Sequence, residues 1–238
     1  MTGTIQQLKA LTDATDNIVF FGGAGVSTES GIPDFRSADG LYNQEWQYPP
    51  EVILSHTFYK SNPEEFFRFY RAKMLAPDAK PNAAHLKLAA WEKEGKVRAV
   101  VTQNIDGLHQ AAGSRHVHEL HGSVHRNYCE RCGKFYGLDA ILSSTGVPRC
   151  ACGGIIKPDV VLYEEGLDQQ TLSAAIHAIS KADVLIIGGT SLNVYPAAGL
   201  VNYYRGNKLV LINKSDVTKD LGAGLIITDP IGETLGQL

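Results

Sequence analysis

The chain has 238 residues, 44% of them apolar and 20% charged, with a formal net charge of -3. That balance describes one globular domain, or one with a small inserted lobe, and with no basic run it argues against nucleic acid as a direct partner. No apolar stretch nears the roughly 20 residues that span a bilayer, and the start, MTGTIQQLKALTDAT, lacks the features of a secretion signal, so a cytoplasmic protein with no membrane partner is expected.

The stretch NIVFFGGAGVSTESGIPDFR, residues 17–36, comes first in chain order. Its apolar run 18–21 predicts a buried strand, and Gly22, Gly23 and Gly25 follow where a phosphate-binding loop belongs. The G-x-G-x-x-G fingerprint is incomplete, because Thr28 stands in place of its third glycine. Residues 40–81 hold no convincing strand, and PPEVILSHTFYKSNPEEFFRFYRAKML predicts two helical pieces broken at Ser61-Asn62-Pro63, whose proline suits a first helical position. Further strands are predicted over 97–102, 117–120, 184–187, 209–212 and 225–228, with helices over 82–94, 169–181 and 196–204. The alternation gives an α/β fold class, a doubly wound parallel-sheet, Rossmann-like domain; the helical insertion, with a zinc ribbon expected from the cysteines described next, makes a smaller lobe. Within a single domain, 1–238, the core is expected over approximately 1–39, 82–123 and 158–238, the helical insertion over approximately 40–81 and the zinc-binding module over approximately 124–157.

All four cysteines fall in that last module, as CERC (Cys129, Cys132) and CAC (Cys150, Cys152), 17 residues apart. Such spacing fits a zinc ribbon, and four thiolates close the tetrahedral shell of Zn²⁺, so the metal site is expected to be structural. Zinc ribbons also serve as binding modules. Here the basic residues Arg126, Arg131, Lys134, Arg149 and Lys157 are partly balanced by acids, and no aromatic ladder is interleaved for base stacking.

The segment VVTQNIDGLHQAAG, 100–113, passes from a strand straight into Gln103-Asn104-Ile105-Asp106, which places these side chains at the crevice beyond the carboxyl ends of the strands. Asp106 taken alone reads as a helix cap. In HVHELHGSVH, 116–125, His121 stands at a strand end beside Gly122. The cysteines already complete the metal shell, which leaves that imidazole free for proton transfer near neutral pH.

In order, GAGVS (23–27), GIPDFRS (31–37), TQNID (102–106), HG (121–122), the cysteine quartet, KPDVV (157–161), GTSLNVYP (189–196) and LIN (211–213) resemble the sirtuins, NAD-dependent protein deacylases. The resemblance implies a protein lysine deacetylase with NAD as co-substrate, zinc as structural metal and acetyl-lysine proteins or peptides as partners. Its products would be nicotinamide, O-acetyl-ADP-ribose and free lysine.

Carried over by position, Ala24 and Thr28 would touch the cofactor, Phe35 would shield the reacting ribose carbon, and Arg36 would lie near the phosphate and ribose. Gln103, Asn104, Ile105 and Asp106 would surround the nicotinamide ribose, Thr190 and Ser191 the phosphates or adenosine, Asn213 the adenosine ribose and Ile231 the adenine. His121 would take a proton from a ribose hydroxyl, whose oxygen then attacks the imidate carbon formed from the acyl-lysine. An extended peptide would pair with Val160, Val161, Leu162 and Tyr163 on one side and with Leu192, Asn193 and Val194 on the other.

Two departures bear on substrate choice. Many sirtuins have Phe-Gly-Glu where this chain has Tyr163-Glu164-Glu165. Those that favour succinyl or malonyl lysine are similar in a Tyr-x-x-Arg pair, at which this chain has Phe67 and Tyr70 with Arg71 adjacent, so neutral acyl groups are expected. The alternative within enzymes is mono-ADP-ribosyl transfer, which shares the NAD cleavage but does not need the base at the ribose.

Overall fold

The computed structural model describes residues 3–35, 40, 46–214 and 221–238. Its strands, in chain order, are β1 Ile18–Gly22, β2 Val97–Thr102, β3 Val117–Glu119, β4 Gly122–Cys129, β5 Phe135–Tyr136, β6 Ile156–Val160, β7 Val184–Gly188, β8 Lys208–Ile212 and β9 Leu225–Ile227. Helices are α1 Gly3–Asp13, α2 Pro50–Ile53, α3 His56–Ser61, α4 Pro63–Phe69, α5 Ala83–Lys93, α6 Leu108–Ala112, α7 Asp139–Leu142, α8 Gln169–Lys181 and α9 Ile231–Gly236. No described helix is long and apolar enough to cross a membrane.

A six-stranded sheet has the order β3-β2-β1-β7-β8-β9, every pair parallel. The six predicted strands are these six. Ile18 and Phe20 of β1 enter one apolar cluster with α1, α5 and α9, whereas Val19 and Phe21 enter a second with α8. Burial on both faces is why these strands read as continuous apolar runs rather than alternating ones. Asn82 caps α5 by accepting from the Ala84 and His85 amides, so the predicted start at 82 is fixed by a side chain.

Segment 196–204 is helical as expected, in the tighter 3₁₀ form over Ala197–Tyr203. Its buried residues, Ala197, Ala198, Leu200 and Val201, recur at a spacing of three, which a 3₁₀ turn eclipses on one side. The helical insertion also breaks once more than expected. Ser55 Oγ accepts from the Phe58 amide and starts α3 afresh, and α4 then runs into a wide π-type turn at Tyr70–Met74.

Antiparallel β5-β4-β6 forms the second sheet. Tyr59, Phe66, Phe67, Phe69 and Tyr70 of the insertion share one buried cluster with Val124, Cys129, Cys150 and Ile156 of the cysteine stretch. The short cysteine stretch therefore borrows its apolar mass from the insertion, and the two make one lobe.

Candidate functional site

Because the large sheet is parallel, its carboxyl ends lie together. Gly22 is in register with Thr102 and Gly188, Thr102 with Glu119, Gly188 with Ile212, and Ile212 with Ile227. The next residues along each strand, including Gly23, Gln103, Gly189 and Asn213, therefore share one edge of the sheet. Strand order reverses between β1 and β7, the switch point at which open α/β sheets bind ligands.

The loop after β1 leads into two short 3₁₀ turns, Ala24–Val26 and Thr28–Ser30, so no long helix follows it. Its Gly25 amide donates to the Gly189 carbonyl at 2.8 Å, and a Cβ at Gly25 would stand 2.8 Å from the Gly189 Cα. The glycines thus let the loops after β1 and β7 touch, a reason for them beyond any phosphate. Ala24 and Thr28 remain half-buried on this loop, and Thr28 Oγ1 donates to the Gly25 carbonyl.

Around it the predicted polar groups form two hydrogen-bonded sets that meet at the Gln103–Asn104 peptide. Ser27 Oγ donates to Asp106 Oδ2 at 2.7 Å and accepts from Asn104 Nδ2 at 3.0 Å. Asp106 Oδ1 accepts from the Leu108 amide at 2.9 Å, so the residue does hold the start of α6 as well as facing the crevice. Gln103 Nε2 donates to Thr190 Oγ1 at 3.0 Å. The Gln103 carbonyl accepts from His121 Nδ1 at 2.9 Å. A carbonyl cannot donate, so Nδ1 carries the proton and the neutral ring presents its lone pair at Nε2. Burial lowers the His121 pKa from its ordinary 6.5, partly opposed by that carbonyl, and favours the neutral base. The HG pair has a steric basis too, since Gly122 has φ 78° and a Cβ there would come within 1.9 Å of the Asp159 carbonyl oxygen.

Ser27 is the residue that sequence reasoning passed over. It is almost fully buried, and the one signal available was a hydroxyl directly after the glycine loop.

Phe35 packs, half-buried, against the apolar cluster of the small lobe. Arg36 lies outside the described residues. Ile105 borders the same cluster, and Ser191 and Asn213 are half-buried at their strand ends. The Ile231 side chain is a core group, packed where a Cβ on Gly188 would meet it at 2.3 Å.

The two segments expected to hold a peptide differ in what they offer. The amides of Val161, Leu162 and Tyr163 already donate to the His121 carbonyl, Glu165 Oε2 and the Leu54 carbonyl, while Val160 pairs with Gly122 in the small sheet. Across from them, the amides of Asn193 and Val194 have no partner among the described residues. Leu192 is fully buried, and its amide donates to Thr190 Oγ1.

In the small lobe the four Cys Sγ atoms lie within 4.8 Å of one another, with Cys129–Cys152 at 3.4 Å and Cys132–Cys150 at 3.7 Å. A tetrahedral zinc with Zn–S of about 2.3 Å sets its sulfurs about 3.8 Å apart, so the quartet fits that ion.

A sequence model of the Sir2 family matches residues 23–196. The chain belongs to the Sir2 family. Among its Sir2 relatives, an NAD-dependent protein deacetylase of Clostridium acetobutylicum is 61% identical, with 97% of this chain and 96% of that protein covered. A solved Sir2 with a deacetylated p53 peptide and 3'-O-acetyl-ADP-ribose is similar at a TM-score of 0.89 and 40% identity, covering 98% of this chain and 96% of that one. Another Sir2 structure, with a p53 peptide and NAD+, has a TM-score of 0.85 and 41% identity over 98% of this chain and 96% of that one.

Proposed function

We propose that this chain is an NAD-dependent protein lysine deacetylase that yields nicotinamide, O-acetyl-ADP-ribose and free lysine, acting in the cytoplasm on acetyl-lysine proteins. The observation that carries the reading is the pair of hydrogen-bonded sets at the sheet edge, Asn104 and Asp106 joined through Ser27 and Thr190 and His121 joined through Gln103, with His121 Nε2 left as the acceptor. NAD, when bound, supplies the electrophile: loss of nicotinamide opens a ribose carbon to the acyl oxygen of the lysine.

The chain's own groups would bind, orient and move a proton. Ala24, Thr28 and Arg36 hold the phosphate side, Thr190 and Ser191 the phosphates or adenosine, Asn213 the adenosine ribose, and Ile231 marks the adenine end with its side chain in the core. Gln103, Asn104 and Ile105 surround the nicotinamide ribose. Asp106 accepts from the carboxamide, because each carboxylate oxygen keeps a second lone pair beyond its bond to Ser27 or Leu108. His121 takes the ribose hydroxyl proton at Nε2. Phe35, leaning on the small lobe, keeps bulk water from the ribose carbon.

The extended peptide lies between 160–163 and 192–194, pairing its main chain with the open amides of Asn193 and Val194 in β-augmentation. Cys129, Cys132, Cys150 and Cys152 hold the zinc, which closes the lobe and leaves no position for substrate. The core, insertion and zinc module form one catalytic unit.

The test is nicotinamide release in the presence of an acetyl-lysine peptide and of its unacetylated twin. Release that depends on the acetyl group supports the reading. Equal release with both peptides would favour simple NAD cleavage or ADP-ribosyl transfer.

A further inference from the structure

Among the described residues, two that are not glycine hold left-handed backbone, Glu164 at φ 76° and Leu192 at φ 53°. Leu192 begins one of the two segments assigned above to the peptide, and Glu164 directly follows the other. Such conformations persist only when their surroundings impose them. For Leu192 the imposing contacts are its full burial and its bond to Thr190 Oγ1.

For Glu164 the imposing contact is made by the carboxylate. Oε2 accepts from the Thr57 amide at 2.9 Å and from Thr57 Oγ1 at 2.7 Å, which ties the turn to the start of α3. These bonds also hold the carboxyl below its usual range, so it is ionised at neutral pH. Oε1 has no partner among the described residues, and Glu164 is exposed. An ordinary surface glutamate samples many rotamers; this one is fixed at both ends.

The acids around it are bonded to basic side chains. Glu165 is matched by Lys157 at 3.2 Å and bonded to His56 at 2.8 Å. Asp159 shares Arg126 with Glu119, at 2.8 and 2.6 Å. On the opposite side, Val184 through Tyr204 contains no charged residue. Glu164, next to the first segment, is therefore an acid with no lysine or arginine bonded to it among the described residues, His56 being the one cation-forming group that acts on its carboxylate, and Tyr163 beside it is 37% exposed, an apolar surface for the stem of a long cation.

We propose that Glu164 selects acyl-lysine substrates that carry a lysine or arginine near the modified residue. The proposal rests on the deacetylase reading and adds the class of peptide. An exposed pair of this kind changes preference by about two- to five-fold, and salt screens it.

The experiment uses acetyl-lysine peptides in matched sets, with Lys, Gln or Glu at each flanking position in turn. Specificity, kcat/KM, is measured at low and high salt for the wild type, Glu164→Gln and Glu164→Gly. The Gln variant keeps an oxygen for Thr57, and the Gly variant relieves the backbone. At one or more positions the wild type is expected to prefer Lys over Gln by about two- to five-fold, mainly through KM and fading with salt, and both variants are expected to bring that ratio to one. No basic preference at any position, or one that survives both substitutions, would overturn the proposal. Failure to deacetylate any peptide would reject the deacetylase reading itself, and the proposal with it.

Discussion

His121 donates Nδ1–H to the Gln103 carbonyl, and burial favours the neutral ring, so Nε2 is an acceptor before any ligand arrives. Replacing it with alanine is expected to lower deacetylation about 100-fold or more while zinc content and melting temperature stay near the wild type. Zinc lost in step with activity would count against the assignment. The sign of the pH dependence follows from the same burial. A histidine depressed below 6.5 stays deprotonated to lower pH, so the acid limb of kcat/KM is expected to bend below 6.5, and a bend above it would contradict the buried-base account. At this scale the place of His121 beside Gln103 and the clustering of the four cysteines were legible, because their chemistry is rare and their spacing informative. Ser27 was not, since its partners Asp106 and Asn104 lie 79 and 77 positions away and one hydroxyl after a glycine loop reads as a turn.

Among the elements, those with a cap or a two-faced apolar run were predictable. β1 and β7 show unbroken apolar sequence, and Gln169–Lys181 emerges with its predicted bounds because Asp168 caps it by accepting from the Thr171 amide. Short segments were less legible, because 3₁₀ and α spacing cannot be separated over seven residues when packing on the sheet decides. The small lobe also hid its economy: its core joins aromatic residues of the insertion to two of the cysteines. Cys150→Ser and Cys152→Ser are accordingly expected to lower zinc content and melting temperature together, by atomic absorption and thermal unfolding. Full zinc and unchanged melting in both would reject the quartet as a metal site.

For the whole molecule, the coincidence of strand ends was inferable, but which charges face a substrate was not, because that depends on contacts between lobes. Arg71 shows this. Its guanidinium donates to the carbonyls of Ile141, Phe67 and Gly146 and to Ser144 Oγ, so it serves the joint between insertion and zinc module. Phe67 and Tyr70 are fully buried. With Phe67 and Tyr70 uncharged and the Arg71 guanidinium engaged by those carbonyls, acetyl-lysine is expected to turn over at least about ten-fold faster than succinyl-lysine in the same peptide, as an unpaired buried charge is costly. Equal or faster desuccinylation would mean that Arg71 leaves those carbonyls. The most direct test of the whole account is mass spectrometry of an acetyl-lysine peptide incubated with the protein, with and without NAD. The account predicts loss of the acetyl group only with NAD, matched one for one by nicotinamide and O-acetyl-ADP-ribose. A peptide that keeps its acetyl group, or gains ADP-ribose, would contradict it.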